Sequence, residues 1–160
     1  MLFRNSVLCI REHLAPLSPN NLFSRGQRRP LLKGAISKVI LAHLPNHRLR
    51  SIFSRTQANI AEAGLGSTWE EFRDALSKIR KDGIAITSGE FNPGVLGIAA
   101  PVFNSEHAIL GSVGFAMSIE DVKDVDMSKA TLAVKRAARE ISQRMSMGIS
   151  GMDLPPRAVG

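Results

Sequence analysis

The chain has 160 residues, of which 44% are hydrophobic and 22% charged, a balance that suits one globular domain with a real core. It holds no apolar run near the roughly 18 residues of a membrane-spanning helix, and its single cysteine, Cys9, excludes an intramolecular disulfide and fits a reducing cytoplasm. The net charge of +7 is uneven: residues 1–60 carry ten Lys or Arg against one acid, residues 61–160 eleven against thirteen. A basic half invites nucleic acid. The bases are dispersed, however, apart from Arg25, Arg28, Arg29 and Lys33, and 5% aromatics with no tyrosine leave little for stacking on bases.

Taken in order, Ser6–Arg11 reads as a strand and residues 16–21 as a loop. Leu22–Ser24 is strand-like, and Arg25 to Pro30 is a polar turn whose X-Pro step disfavours helix. From Ala35, the spacing of Ile36, Val39, Ile40 and His43 or Leu44 predicts a helix that Pro45 ends. Asn46 is placed to cap a second, short helix that buries Leu49, Ile52 and Phe53, while residues 56–66 are open between helix tail and loop. Ser67 and Glu70 form a capping box for a helix over 68–82, with Trp69, Phe72, Leu76 and Ile79 inward and Gly83 as its C-terminal stop. A short strand, Ile84–Ser88, is followed by a loop to Gly94.

Residues 94–117 then hold two apolar runs, Val95–Phe103 and Ala108–Met117, around the polar tetrad 104–107, the pattern of a β-hairpin. Four glycines (Gly94, Gly97, Gly111, Gly114) and three alanines within it weaken strands unless something must approach closely. The hairpin is therefore either a tightly packed sheet centre or the floor of a pocket. An acidic turn, 118–126, leads to a last helix over Ser128–Met147 with Ala130, Val134, Ala137, Ile141 and Met145 in one stripe, and the aperiodic residues 148–160 are expected to be disordered. The order of elements predicts an α+β fold, an antiparallel sheet with helices packed against it.

No catalytic set emerges. His43 and His47 are separated by Pro45, which breaks the helix that would align them; His13 and His107 are isolated. No H-E-x-x-H or cysteine pair is present, Cys9 sits in an apolar run, and Glu90 and Glu106 lie in separate loops. Neither phosphate-cradling glycine motif occurs. No enzyme, no metal and no cofactor is predicted. What remains is the Gly/Ala-rich hairpin beside the 87–93 loop and the helix start at 35–36, where Thr87, Ser88, Ser112 and backbone amides could supply a concave site's polar part.

Several ordered motifs resemble one family. Ile79-Arg80-Lys81-Asp82-Gly83, Gly89-Glu90, Pro93-Gly94-Val95 and Ile98-Ala99-Ala100-Pro101-Val102 look like the effector-binding domain of IclR-type transcriptional regulators. Pro30-Leu31 through Lys38, Ile40-Leu41-Ala42-His43-Leu44-Pro45 and Ala137-Ala138-Arg139-Glu140-Ile141-Ser142 extend the likeness over roughly residues 6–147. The resemblance implies a GAF/profilin-like antiparallel sheet flanked by helices, within an effector-binding domain over 1–147. That domain is expected to be partial, without the family domain's first helix and strand, and the winged helix-turn-helix has no counterpart in these residues.

Where members of the family bind small carboxylic acids, the residues matching Ala35, Ile36, Thr87, Gly97, Gly114 and Ala116 line the pocket. Such members often have Asp, Cys, Ser and Ser at the last four; here they are Thr, Gly, Gly and Ala. That exchange removes polar side chains and leaves space. The implied effector is an organic acid larger or less polar than one of two or three carbons, such as an aromatic or longer acid held by backbone amides. The implied partners are that effector, further copies of the chain in an oligomer, and DNA only through the helix-turn-helix; no membrane is involved. Two alternatives stand beside this: a small basic nucleic-acid-binding protein, and a degenerate fragment without effector binding.

Overall fold

The computed structural model describes residues 1–13 and 23–147. Its elements are β1 (Leu2–Phe3), β2 (Ser6–Leu8), β3 (Arg28–Pro30), α1 (Ala35–Ala42), α2 (Asn46–Glu62), α3 (Trp69–Asp82), β4 (Ala85–Ser88), β5 (Val95–Phe103) and β6 (Ile109–Ser118). A 3₁₀ turn, Glu120–Asp124, leads into α4 (Met127–Ser146). The strands form two antiparallel sheets of three, β1-β2-β3 and β4-β5-β6. The α+β class holds, with two sheets rather than one. The tail expected to be disordered lies outside the described residues.

The larger sheet is the middle of three layers. Along β5, Ile98, Ala100 and Val102 point to α4 and pack with Val134 and Ala138, while the alternate residue Ala99 faces α1 and joins Val39, Ile40 and Phe72 in the main core. Strand β6 pairs Gly97 with Ala116, Ala99 with Gly114 and Pro101 with Ser112, and the register shifts only between Val102 and Phe103. The face toward α1 is thus built of small residues, and the helix comes close enough for Ser112 Oγ to donate to Ile36 O at 2.9 Å. Helix α1 is nearly engulfed: seven of its eight residues are buried, because α3 and the first sheet cover its other sides.

Several local expectations shift. Strand β3 lies in the segment read as a polar turn, and Phe23–Ser24 form no strand. Pro30 has no N–H to give a ladder, which an edge strand such as β3 tolerates, and the residue before it is already biased to extended backbone. Helix α2 begins after Pro45, so Asn46 lies inside it, and it runs on through the ambiguous stretch to Glu62. It bends at Thr56, which leaves helical geometry (φ −136°, ψ 28°) as its hydroxyl donates to Ile52 O. The capping box sits one residue later than expected: Thr68 Oγ1 accepts from Glu71 N–H, and the Glu71 carboxylate accepts from the Thr68 and Ser67 amides. On α4 the inward line is Val134, Ala138 and Ser142; Ile141 and Met145 are exposed, so the expected stripe rotates away from the sheet after Val134.

Candidate functional site

The start of α1 sits over the open end of the hairpin, and a cavity of about 90 Å³ lies there. Gly34 precedes the helix with a left-handed φ of 83°, which lets the chain turn into α1 beneath the Phe91 ring. Ala35, Ile36, Thr87, Gly97 and Ala116 all line the cavity. They are brought together because Thr87 pairs with Gly97, and Gly97 with Ala116, across three strands. Gly97 leaves room: a Cβ there would only reach ordinary contact, 3.5 Å from Ala35 Cβ and Thr87 Oγ1.

Gly114, the sixth expected residue, is not part of the lining. A Cβ at Gly114 would fall 2.2 Å from Ile98 O and 2.9 Å from Ala99 Cα. Its role is close packing within the sheet. The hairpin is thus packed at the Ala99–Gly114 rung and open at the Gly97–Ala116 rung.

All but one of the amides at the helix start are already matched. Gly34 N–H donates to Glu90 Oε2 at 2.8 Å, and Ala35 N–H to Thr87 Oγ1 at 3.0 Å. Glu90 also holds Lys38, a buried lysine whose ammonium donates in addition to Ala63 O at 2.8 Å. Such a pair ties the 89–94 loop to α1, and Glu90 places its negative charge where the helix dipole favours one. Two amides at the start of α1 are therefore engaged from within the protein.

The outer wall is aromatic and cationic. Phe23 and Phe91 line it with Val95, Asn92, Lys33 and Arg29. Arg29 stacks on Phe91, its guanidinium carbon 3.6 Å from the ring centroid, and lies 4.9 Å from that of Phe23. Burial pulls the Arg29 pKa below its ordinary value, although a guanidinium stays charged in proteins. Lys33 is paired outward with Glu62 at 2.8 Å. Arg29 stood out in the sequence only within a basic cluster and Glu90 only as an isolated loop acid and part of a family motif; neither they nor the phenylalanines were expected at the site. The cluster Arg25-Arg28-Arg29-Lys33 was the available signal, but only the register that sets Arg29 opposite buried Val7 shows which base turns inward.

A second cavity, about 320 Å³, lies between β3 and α2, beside His47, Arg48 and Arg55. Arg48 is tied down there, donating to Arg4 O at 2.7 Å. Among the described residues, no three His, Cys, Asp or Glu side chains are grouped to hold a metal. No described helix is long and apolar enough to cross a membrane.

Residues 2–143 match the family described as Bacterial transcriptional regulator IclR C-terminal. The chain belongs to this family. It is 25% identical over 120 residues to the HTH-type transcriptional regulator XynR of Escherichia coli K12, covering 75% of this chain and 48% of XynR. It is 26% identical over 125 residues to the HTH-type transcriptional regulator KdgR of Dickeya chrysanthemi, covering 78% and 41%. The chain thus spans less than half the length of either curated relative. Among solved structures, the C-terminal domain of a Vibrio cholerae transcriptional regulator is 30% identical with a TM-score of 0.71, covering 84% of this chain and 78% of that one. The transcriptional regulator YaiJ shares the fold, with a TM-score of 0.76 at 23% identity, covering 92% and 83%. The named relatives are transcriptional regulators. Together with the IclR-type membership, they support the family and fold expected from the motifs.

Proposed function

We propose that this IclR-type domain senses a small organic acid and passes its occupancy to a winged helix-turn-helix of the same regulator, in the cytoplasm and within a homo-oligomer. The observation that carries the reading is the cavity at the start of α1, where five of the six residues expected from the family pattern meet. Its location suits signalling. A ligand there touches the first turn of α1, the 87–92 loop and the hairpin at once, so it can favour one arrangement of these parts over another. Only such a difference in affinity between two states shifts an equilibrium, and the coupling to DNA is reciprocal.

Titration calorimetry of the chain against pyruvate, hexanoate and benzoate tests this. The expected result is saturable binding of a bulkier acid and weak binding of pyruvate. Tight binding of pyruvate alone would contradict the size argument, and no binding of any acid would leave the degenerate-fragment alternative. The nucleic-acid alternative predicts a DNA gel shift by this chain that fades steeply with salt. Two of the basic side chains it would rely on are occupied: Arg48 is tied to the Arg4 carbonyl and Arg50 lies 4.8 Å from the Trp69 ring centroid.

A further inference from the structure

The amino end of a helix is ordinarily the place to receive an anion, since free amides and the helix dipole both point there. In this chain that place is filled. Glu90 takes the Gly34 amide and Thr87 the Ala35 amide, while the Ser37 and Lys38 amides turn back to Gly34 O. An incoming carboxylate would meet the Glu90 charge and find only the Ile36 amide of the first turn. A ligand acid therefore needs a different counter-charge.

Arg29 supplies one. It occupies the inward position of β3, opposite Val7, while its neighbours Arg28 and Pro30 are exposed. Its planar group lies against Phe91 with Phe23 nearby, which leaves the edge of the guanidinium for in-plane hydrogen bonds. The partly desolvated cation at the cavity wall has no carboxylate partner among the described residues, and an anion that binds beside it gains a charge-assisted, two-pronged contact. Phe91, Ile36 and Val95 make the adjoining surface apolar. A flat ring fits those walls better than a short polar chain does.

We infer that Arg29 is the charge anchor and specificity-determining residue of the cleft, and that the ligand class is an aromatic monocarboxylate whose ring lies along Phe91. This rests on the effector-sensing reading and names the chemistry of that same site. Glu90, by keeping the start of α1 occupied, works as a selectivity element against acids too short to reach Arg29.

The test is titration calorimetry of the full chain with benzoate and its neutral counterpart benzamide, on the unaltered protein and on Arg29→Gln and Arg29→Lys. Benzoate is expected to bind the unaltered chain at least about tenfold more tightly than benzamide, and Arg29→Gln to erase that preference while benzamide affinity stays unchanged. Arg29→Lys, which keeps the charge but not the fork, is expected to retain part of the preference and covers the case in which the Gln variant does not fold. Benzoate bound equally by the unaltered chain and either variant would overturn the assignment of Arg29 and leave effector sensing standing. Failure of the unaltered chain to bind either compound would overturn the ligand class; if pyruvate and hexanoate also failed, the sensing reading itself would fall.

Discussion

The two faces of the β5–β6 hairpin solve different problems with the same backbone. Toward α4 it presents Ile98, Ala100, Val102, Val113 and Phe115, and a single-sided helix of twenty residues with only Val134 and Ala138 buried closes over them. Toward α1 it presents Gly97, Ala99, Ser112, Gly114 and Ala116, and the helix above is buried almost throughout. Large side chains make the first interface ordinary core. Small ones make the second an interface of backbone contact, where one rung is filled and the next is left open. A cavity arises on the α1 side because two residues, Gly97 and Ala116, stop short of filling the space under Ala35.

The most severe way to break this contrast is at the filled rung. Gly114→Val is expected to cost about 3 kcal/mol or more and can prevent folding, since its Cβ has no room beside the Ile98 carbonyl. Gly97→Ala on the same face is expected to stay within about 1 kcal/mol of the parent and to weaken benzoate binding by narrowing the cleft. Urea denaturation separates the two, and similar losses for both would show that the open rung is not open.

Next in size is the ion pair that holds the loop over the cavity. Glu90→Ala strands Lys38, a buried ammonium, with only Ala63 O as partner, and removes the acceptor of the Gly34 amide. A loss of about 3 kcal/mol is expected, as for other broken buried pairs. Lys38→Met strands a carboxylate that is a quarter exposed and keeps its amide donor, so it is expected to cost about 1 kcal/mol. Equal losses by thermal unfolding would mean that the pair is effectively solvated. On the other face, Val134→Ala removes buried methyls from the α4 contact and is expected to cost about 2 kcal/mol while leaving ligand affinity unchanged. A matching loss of affinity would show that the faces are coupled.

Much of this was legible in the residues because it is local. The α3 helix announces itself by its period, its polar start and Gly83 at its end, and the hairpin by two apolar runs around four polar residues. The capping box was misplaced by one because Ser67-Thr68 and Glu70-Glu71 offer two registers, and only the backbone chooses Thr68 with Glu71. The cleft's floor was readable as a cluster of small residues, but Gly97 and Gly114 look alike in sequence and differ only in how close the neighbouring strand comes. The charged wall showed in the residues only as a basic cluster, with nothing to say which base turns inward. Arg29 and Phe91 are far apart in the chain, as are Gly34 and Glu90, and such pairings follow from how the first sheet and the 89–94 loop meet across α1.

The smallest expected effect lies where the two faces are tied together, at the far end of α1. His43 closes the helix with Nδ1 donating to Val39 O at 2.8 Å, its ring edge-on to Phe103 with centroids 5.1 Å apart. Phe103 N–H in turn donates to Ser142 Oγ of α4 at 3.0 Å, so one residue of β5 touches both helical layers. Burial, with a smaller contribution from Arg80, lowers the His43 pKa below its ordinary 6.5, against the opposing effect of the Val39 hydrogen bond. The folded state then binds the proton less readily than the unfolded chain. His43 therefore favours folding fully above pH 6.5, and that contribution is lost as pH falls through the lowered folded value. The Met1 amine, lowered from 8.0 by burial, gives a slope of the same sign at higher pH, so the comparison must be made variant against parent. His43→Gln is expected to flatten the stability profile between about pH 7 and pH 5 in urea titrations, without changing the profile above it. A parent profile as flat as the variant's would mean that the ring is solvated, and that α1 and β5 are less firmly joined at this end than their contacts imply.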